Sequence, residues 1–277
     1  MIMRVKPKRL PVVTNKTLAI LREHLEEDGQ VEISLDLGLS QTVVEIKNKE
    51  VILPSGEKFT IPASFDPKNN VCYFIKGGQL FPLQMFDPER NFAYQLAPTS
   101  FRPILRISAT QMHKKPFLDR LEKERLTGSV LDGGTGLGYS AIIASRTASE
   151  VITIEWDPNV IEMATYNPHS ATLFEAENIK LIQGDITTEI KQFENQRFDN
   201  IIQDGGMPKS SGRFFSQSHA HQLFRVLKRG GRLFFYLPRK GIKSGRDFGR
   251  EQVIRMRNAG FKLIERDIDG SYAIFRK

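Results

Sequence analysis

Apolar and polar positions along the chain fall into two textures that meet near residue 110. In the first, residues 14–27, "TNKTLAILREHLEE", open on a threonine suited to cap a helix and continue with apolar residues at helical spacing. Short alternating runs follow, broken by turn residues: "VEISLDL", "TVVEI", "VILPSGEKFTI", "VCYFIKGGQLFPLQMF", "FAYQL" and "ILRIS". Such runs predict strands, and the Gly77-Gly78 pair predicts a tight hairpin. Residues 1–108 are expected to fold as a small N-terminal, mainly β domain. The stretch "MHKKPFLDRLEKERL" supplies a helix for a linker over residues 109–128.

From Ser129 to the end, strand-like apolar runs alternate with helical segments. The strands are "SVLDGG", "VITIEW", "IKLIQG", "FDNIIQD", "RLFFYLP", "FKLIERD" and "SYAIFRK"; between them lie "YSAIIASRTA", "PNVIEMATY", "FFSQSHAHQLFRVLKRG" and "REQVIRMRNAG". Alternation of this kind predicts an α/β domain over 129–277, a parallel sheet wound on both faces by helices. Only "IDG" separates the last two runs. That is too short for a crossover helix, so the sheet should close on an antiparallel hairpin.

Composition narrows the class. At 277 residues, 40% of them hydrophobic and 26% charged, the chain is long and apolar enough for a proper core. No apolar run approaches the ~20 residues of a membrane helix, so no membrane partner is expected. The basic N-terminus has no hydrophobic signal segment. Cys72 is the single cysteine, which excludes an internal disulfide and fits a reducing, cytoplasmic setting. The net charge is +8. Basic residues crowd the first sixteen positions and again the segment from Lys209 to Arg257. Such crowding favours RNA or a ribonucleoprotein as partner, beside the plainer reading of a solvated basic surface. A homodimer is admitted but not required.

The chemistry gathers around "VLDGGTGLGYSAI", where four glycines fall within residues 133–138. Interior glycine is entropically costly, so the backbone there must need room. The loop leaves a predicted strand and opens a predicted helix, the context in which glycines admit a ligand against the backbone. Glu155 ends the next strand, 17 residues after Gly138. A carboxylate at that place can accept hydrogen bonds from both hydroxyls of a ribose.

The spacing Asp132-x-Gly134-x-Gly136-x-Gly138 resembles motif I of the class I S-adenosylmethionine-dependent methyltransferases. Further motifs match in order. Glu155 matches their ribose acid, Asp185 in "IKLIQGD" the acid beside the adenine amino group, and Asp204 in "FDNIIQDGG" the acid beside the reacting methyl. "VLDGGTGLGYSAI", "EWDPNVIEMATYNPHS" and "VLKRGGRLFFYLP" are similar to a group of archaeal methyltransferases that also carry a β-rich N-terminal region and a "MH" pair, here Met112-His113. The resemblance implies a Rossmann-like doubly wound sheet with a reversed last strand and S-adenosyl-L-methionine as cofactor. It assigns the cofactor to Asp132, Gly134, Thr135, Gly136, Gly138, Glu155, Trp156, Asp185 and Ile186. Asp204 becomes the proton acceptor. His113, Gly205, Gly206, Phe214 and Tyr236 fall on the substrate side.

One departure stands out. Related amine-directed enzymes place two prolines after the motif IV acid, where this chain has Gly205-Gly206. The substitution loosens the carbonyl that would grip an amine and points to altered activity. His219 and His221 lie two apart, so they do not share a helix face, and no metal is expected. Two other readings stay open. Spermidine synthase-like aminopropyltransferases share the scaffold but carry a second acid where this chain has Met207, and Lys209 and Arg213 suit a polycation poorly. The other is a module that binds an adenosyl ligand or nucleic acid without chemistry.

Overall fold

Seven of the most apolar runs in the C-terminal half form one sheet: β1 (Ser129–Gly133), β2 (Glu150–Glu155), β3 (Ile179–Gln183), β4 (Phe198–Gln203), β5 (Leu227–Tyr236), β6 (Lys262–Asp267) and β7 (Tyr272–Arg276). The computed structural model describes residues 2–108, 110–112, 115–205, 212–237 and 247–277. The strand order is β3-β2-β1-β4-β5-β7-β6. The first five strands are parallel, and β7 runs antiparallel to both β5 and β6. This is the doubly wound α/β fold with a reversed last strand that the motifs imply.

All five residues of β1 are buried, as expected for a central parallel strand covered on both faces. Strand order reverses between β1 and β4, which opens a crevice at their carboxyl ends, the place where such folds bind ligands. Among the described residues this half of the chain forms the helices α1 (Lys115–Glu122), α2 (Tyr139–Ser145), α3 (Pro158–Tyr166), α4 (Ala171–Glu175), α5 (Ile186–Glu189), α6 (Gln217–Val226) and α7 (Phe248–Asn258). Ser216 and Asp247 cap α6 and α7 by accepting from His219 N and Arg250 N. Leu131, Phe198, Leu223, Phe235 and Phe275 join the core between α6, α7 and the sheet.

One expectation fails locally. The segment "VLKRG" was expected to continue α6, but the helix ends at Val226 and Leu227 already pairs with Phe198. Gly230, at φ +77°, cannot extend a right-handed helix.

The N-terminal part is built of small antiparallel sheets. Val12–Thr14, Cys72–Lys76 and Gln79–Pro82 form one; Gly29–Ile33, Thr42–Lys47, Glu50–Ile52 and Lys58–Phe59 a second; Gln84–Asp87, Phe92–Ala97, Ile104–Ile107 and Thr110–Gln111 a third. Gly77 and Gly78 both take positive φ in a two-residue hairpin that pairs Lys76 with Gln79. Thr14 caps the helix Asn15–Glu23.

Contacts divide the chain into two compact units: residues 1–4, 113–158 and 172–277, and residues 5–112 with 159–171. The second unit thus takes in most of α3. Lys8 pairs with Glu162, Tyr166 stacks on Phe74 and His169 bonds to the Leu37 carbonyl, all within that unit.

Candidate functional site

Where β1 ends, the chain must turn under its neighbours, and the glycines answer particular close approaches. Gly134 has φ +112°, and a methyl group there would meet the Asp204 carbonyl oxygen at 2.6 Å and Gly205 Cα at 2.7 Å. Gly138, at φ +81°, precedes α2, and a methyl group there would meet Leu173 at 2.7 Å. Gly134 N donates to the Ile154 carbonyl, which ties the loop to β2. The glycine at 134 is therefore required by the loop after β4 as much as by any ligand.

Asp132 is wholly buried beneath this loop. Thr153 Oγ1 donates to Asp132 Oδ2 at 2.7 Å and must receive its own hydrogen bond from Thr135 Oγ1, 2.6 Å away. Asp132 Oδ1 accepts no hydrogen bond among the described residues. Burial, with the fields of Asp204 and Glu155 added, pushes the Asp132 carboxyl up to about 7.

Glu155 faces the loop. Its Oε2 accepts from Gly136 N at 2.9 Å and its Oε1 from Asp157 N at 3.1 Å. Burial raises this carboxyl too, to about 7, against the pull of those backbone donors. The Trp156 amide also supports this carboxylate, which, with about four acceptor sites, keeps capacity for a further donor. Trp156, next in sequence, is exposed. Asp185 is exposed as well; its Oδ1 caps α5 by accepting from Thr187 N at 2.8 Å, and Ile186 is buried next to the end of β1.

Asp204 leaves β4 half-buried, close enough to Asp132 and Tyr236 to raise the proton affinity of both. Burial first, then Asp204, lifts the Tyr236 hydroxyl to about 12, so it stays a neutral donor. Gly205 packs directly on the glycine loop: a methyl group there would lie 3.0 Å from the Gly133 carbonyl oxygen, 3.2 Å from Gly134 Cα and 3.3 Å from the Phe214 ring. Close packing, rather than looseness, accounts for glycine at 205. Phe214 is buried beneath it against Phe215, Phe235 and His219. The substrate-side candidates His113 and Gly206, with Met207 and Lys209, lie outside the described residues.

The structure thus gathers Asp132, Gly134, Thr135, Gly136, Glu155, Asp204 and Gly205 at the carboxyl ends of β1, β2 and β4. It adds residues that sequence reasoning passed over. Thr153 completes the hydroxyl chain to Asp132. Gln203 Nε2 lies 2.8 Å from His219 Nε2 in a fully buried pair, with Gln203 Oε1 pressed over Gly133. Burial lowers His219 to about 4, so the ring is neutral. Only the alternation of β4, which turns Gln203 inward, could have signalled this pair. Among the described residues, no three His, Cys, Asp or Glu side chains converge as metal ligands would, and no helix is long and apolar enough to cross a membrane.

Comparison with known proteins agrees with this geometry. Residues 127–260 match the family described as "Methyltransferase domain". An uncharacterized protein of Methanocaldococcus jannaschii is 36% identical over 267 residues, covering 90% of this chain and 91% of the relative. Among solved structures, a spermidine synthase in complex with the transition state analogue AdoDATO superposes with a TM-score of 0.57 at 14% identity, over 69% of this chain and 71% of that one. The spermidine synthase of Thermotoga maritima gives 0.53 at 14% identity over 75% of each chain. At such identities the likeness is one of fold.

Proposed function

This chain belongs to one family with the Methanocaldococcus jannaschii protein and carries a methyltransferase domain over residues 127–260, and on that premise we propose that it transfers the methyl group of S-adenosylmethionine to a nitrogen or oxygen of an RNA or ribonucleoprotein. The observation that carries the methyl-donor reading is the buried carboxylate pair under the glycine loop, which has no basic partner among the described residues. Asp132 keeps one oxygen without a partner and Glu155 keeps acceptor capacity toward the crevice. Carboxylates held this way are stabilised by a cation, and the donor carries both a sulfonium and an ammonium group. When bound, that donor supplies an electrophilic methyl to an in-line displacement.

The protein's own work is then alignment and proton removal. Glu155 accepts from the ribose hydroxyls while its backbone donors hold its carboxylate still. Asp185, through the oxygen not engaged by Thr187, faces the adenine amino group, with Ile186 and Trp156 as apolar neighbours. Orientation of this kind supplies up to ~7–11 kcal/mol of the barrier. Asp204 accepts the proton of the acceptor, and Tyr236, un-ionised at neutral pH, donates across the same space.

Titration calorimetry tests the donor. S-adenosylmethionine and its demethylated product should bind at least as tightly as the decarboxylated form. Preference for the decarboxylated form would overturn methyl transfer in favour of aminopropyl transfer. Binding without turnover on any RNA or cell extract would leave a non-catalytic module.

A further inference from the structure

Among the described residues, about half of the basic side chains in the C-terminal quarter are engaged inside the fold. Arg225 donates to the Phe193 and Ile190 carbonyls, Lys228 pairs with Asp199, Arg255 donates to the Phe215 carbonyl and Arg266 pairs with Asp247. Two of those left over fall in line with Arg232 across the sheet. Arg232 on β5 stands directly opposite Arg276 on β7, and Arg276 stands directly opposite Lys262 on β6. Directly paired residues share a face of the sheet, on strands about 4.8 Å apart, and like charges so placed repel. Glu124 neutralises Arg232. Arg276 and Lys262 are exposed, and neither has an acidic partner among the described residues. Arg229 is a further exposed cation, close enough to Lys277 to reinforce the effect of burial in lowering that lysine's proton affinity.

This row is far from the glycine loop. Arg232 is level with Asn200 of β4, and Asn200 with Val130 at the start of β1, so the row lies at the amino ends of the parallel strands. We propose that Arg276 and Lys262, the exposed end of this row, dock the phosphate backbone of a nucleic acid. Two adjacent like charges without acidic partners weaken the free protein, and a polyanion removes that penalty while releasing its counterions. Neither residue brings an aromatic ring for base stacking. Their contacts fix the register and orientation of the nucleic acid and read no sequence. This docking does not depend on methyl transfer.

Fluorescence anisotropy with a short labelled single-stranded RNA, its duplex and the matching DNA duplex tests the surface. The variant is Lys262→Glu/Arg276→Glu. The control, Lys47→Glu/Lys76→Glu, makes the same change in net charge at exposed positions of the N-terminal unit. At low salt the row variant should lose ~10-fold or more in affinity, and its slope of log K against log salt should flatten by roughly 2, near one per phosphate contact. The control should lose far less. The preferred probe identifies which nucleic acid is held. Equal losses in both variants, an unchanged row variant, or salt-independent binding would each overturn the proposal. So would displacement of the RNA by polyglutamate at equal charge, which would assign the row to an acidic protein. Lys262→Gln/Arg276→Gln repeats the test without new charges, and melting curves verify that each variant is folded.

Discussion

At the amino ends of the parallel strands, Glu150 meets Lys180 and Arg197, and Asp199 meets Lys228; at the carboxyl ends, Asp132 and Glu155 meet no cation among the described residues. Burial opposes ionisation at Glu150 and Asp199, but hydrogen bonds from their basic partners override it and hold both below the ordinary carboxylate range. Glu124, between Arg120 and Arg232, behaves in the same way. At Asp132 and Glu155 burial prevails and both rise to about 7. One sheet thus carries two kinds of acid. Those at the amino ends stabilise the fold, each exposed pair by ~0–1 kcal/mol. Those at the carboxyl ends destabilise it when ionised.

The sharpest way to break this contrast is Asp204→Asn. If that third acid takes a proton in the reaction, turnover should fall by ~10²–10⁴-fold while donor affinity changes little, measured as kcat against calorimetric Kd. A parallel loss in both would reassign Asp204 to binding. Next, Glu155→Ala should weaken donor binding by roughly 1–3 kcal/mol. In the unaltered protein a cationic donor should bind with proton release below about pH 7, because it favours the ionised carboxylates. Affinity should then rise with pH up to about 7 and level off above it, and heats measured in buffers of different ionisation enthalpy should show the proton.

The two remaining substitutions set the ends of the sheet against each other. Glu124→Gln removes a carboxylate whose folded proton affinity is lowered. Its contribution is present at neutral pH and lost as the pH falls through that lowered value. Melting at pH 7 should therefore show a loss of about 1–2 kcal/mol, shrinking toward acid pH. Asp132→Asn removes a carboxyl whose folded proton affinity is raised, so its ionisation weakens folding as pH rises from about 4 to about 7. The variant should melt a few degrees higher than the parent at pH 8 and with little difference at pH 5, a shift of roughly 1 kcal/mol or less. The same pH trend in both variants would remove the contrast.

Much of the sheet is legible in the sequence because it depends on local periodicity. The two glycines at 77–78, the "IDG" turn and the apolar strands all declare themselves within a few residues. So do the glycine loop and the acids that follow β2, β3 and β4. The remainder depends on residues that meet only across strands. Nothing near Gly205 in sequence reveals that its neighbour is Gly134, so its glycine reads as looseness when it is close packing. The Gln203–His219 pair and the link from Thr153 to Asp132 each join residues 16 or more positions apart. The basic run from Lys209 reads as one cationic surface, yet Arg225 and Arg255 are occupied with main-chain carbonyls.

The abutment of Gly134 on Asp204–Gly205 has a consequence for how this protein can be altered. The segment that would cradle the donor and the one that would face the acceptor share a seam with no room for a single added carbon. Neither can be exchanged for a bulkier counterpart from a relative unless the other is recut to match, so changes at 134 and 205 must be inherited, or engineered, as a couple.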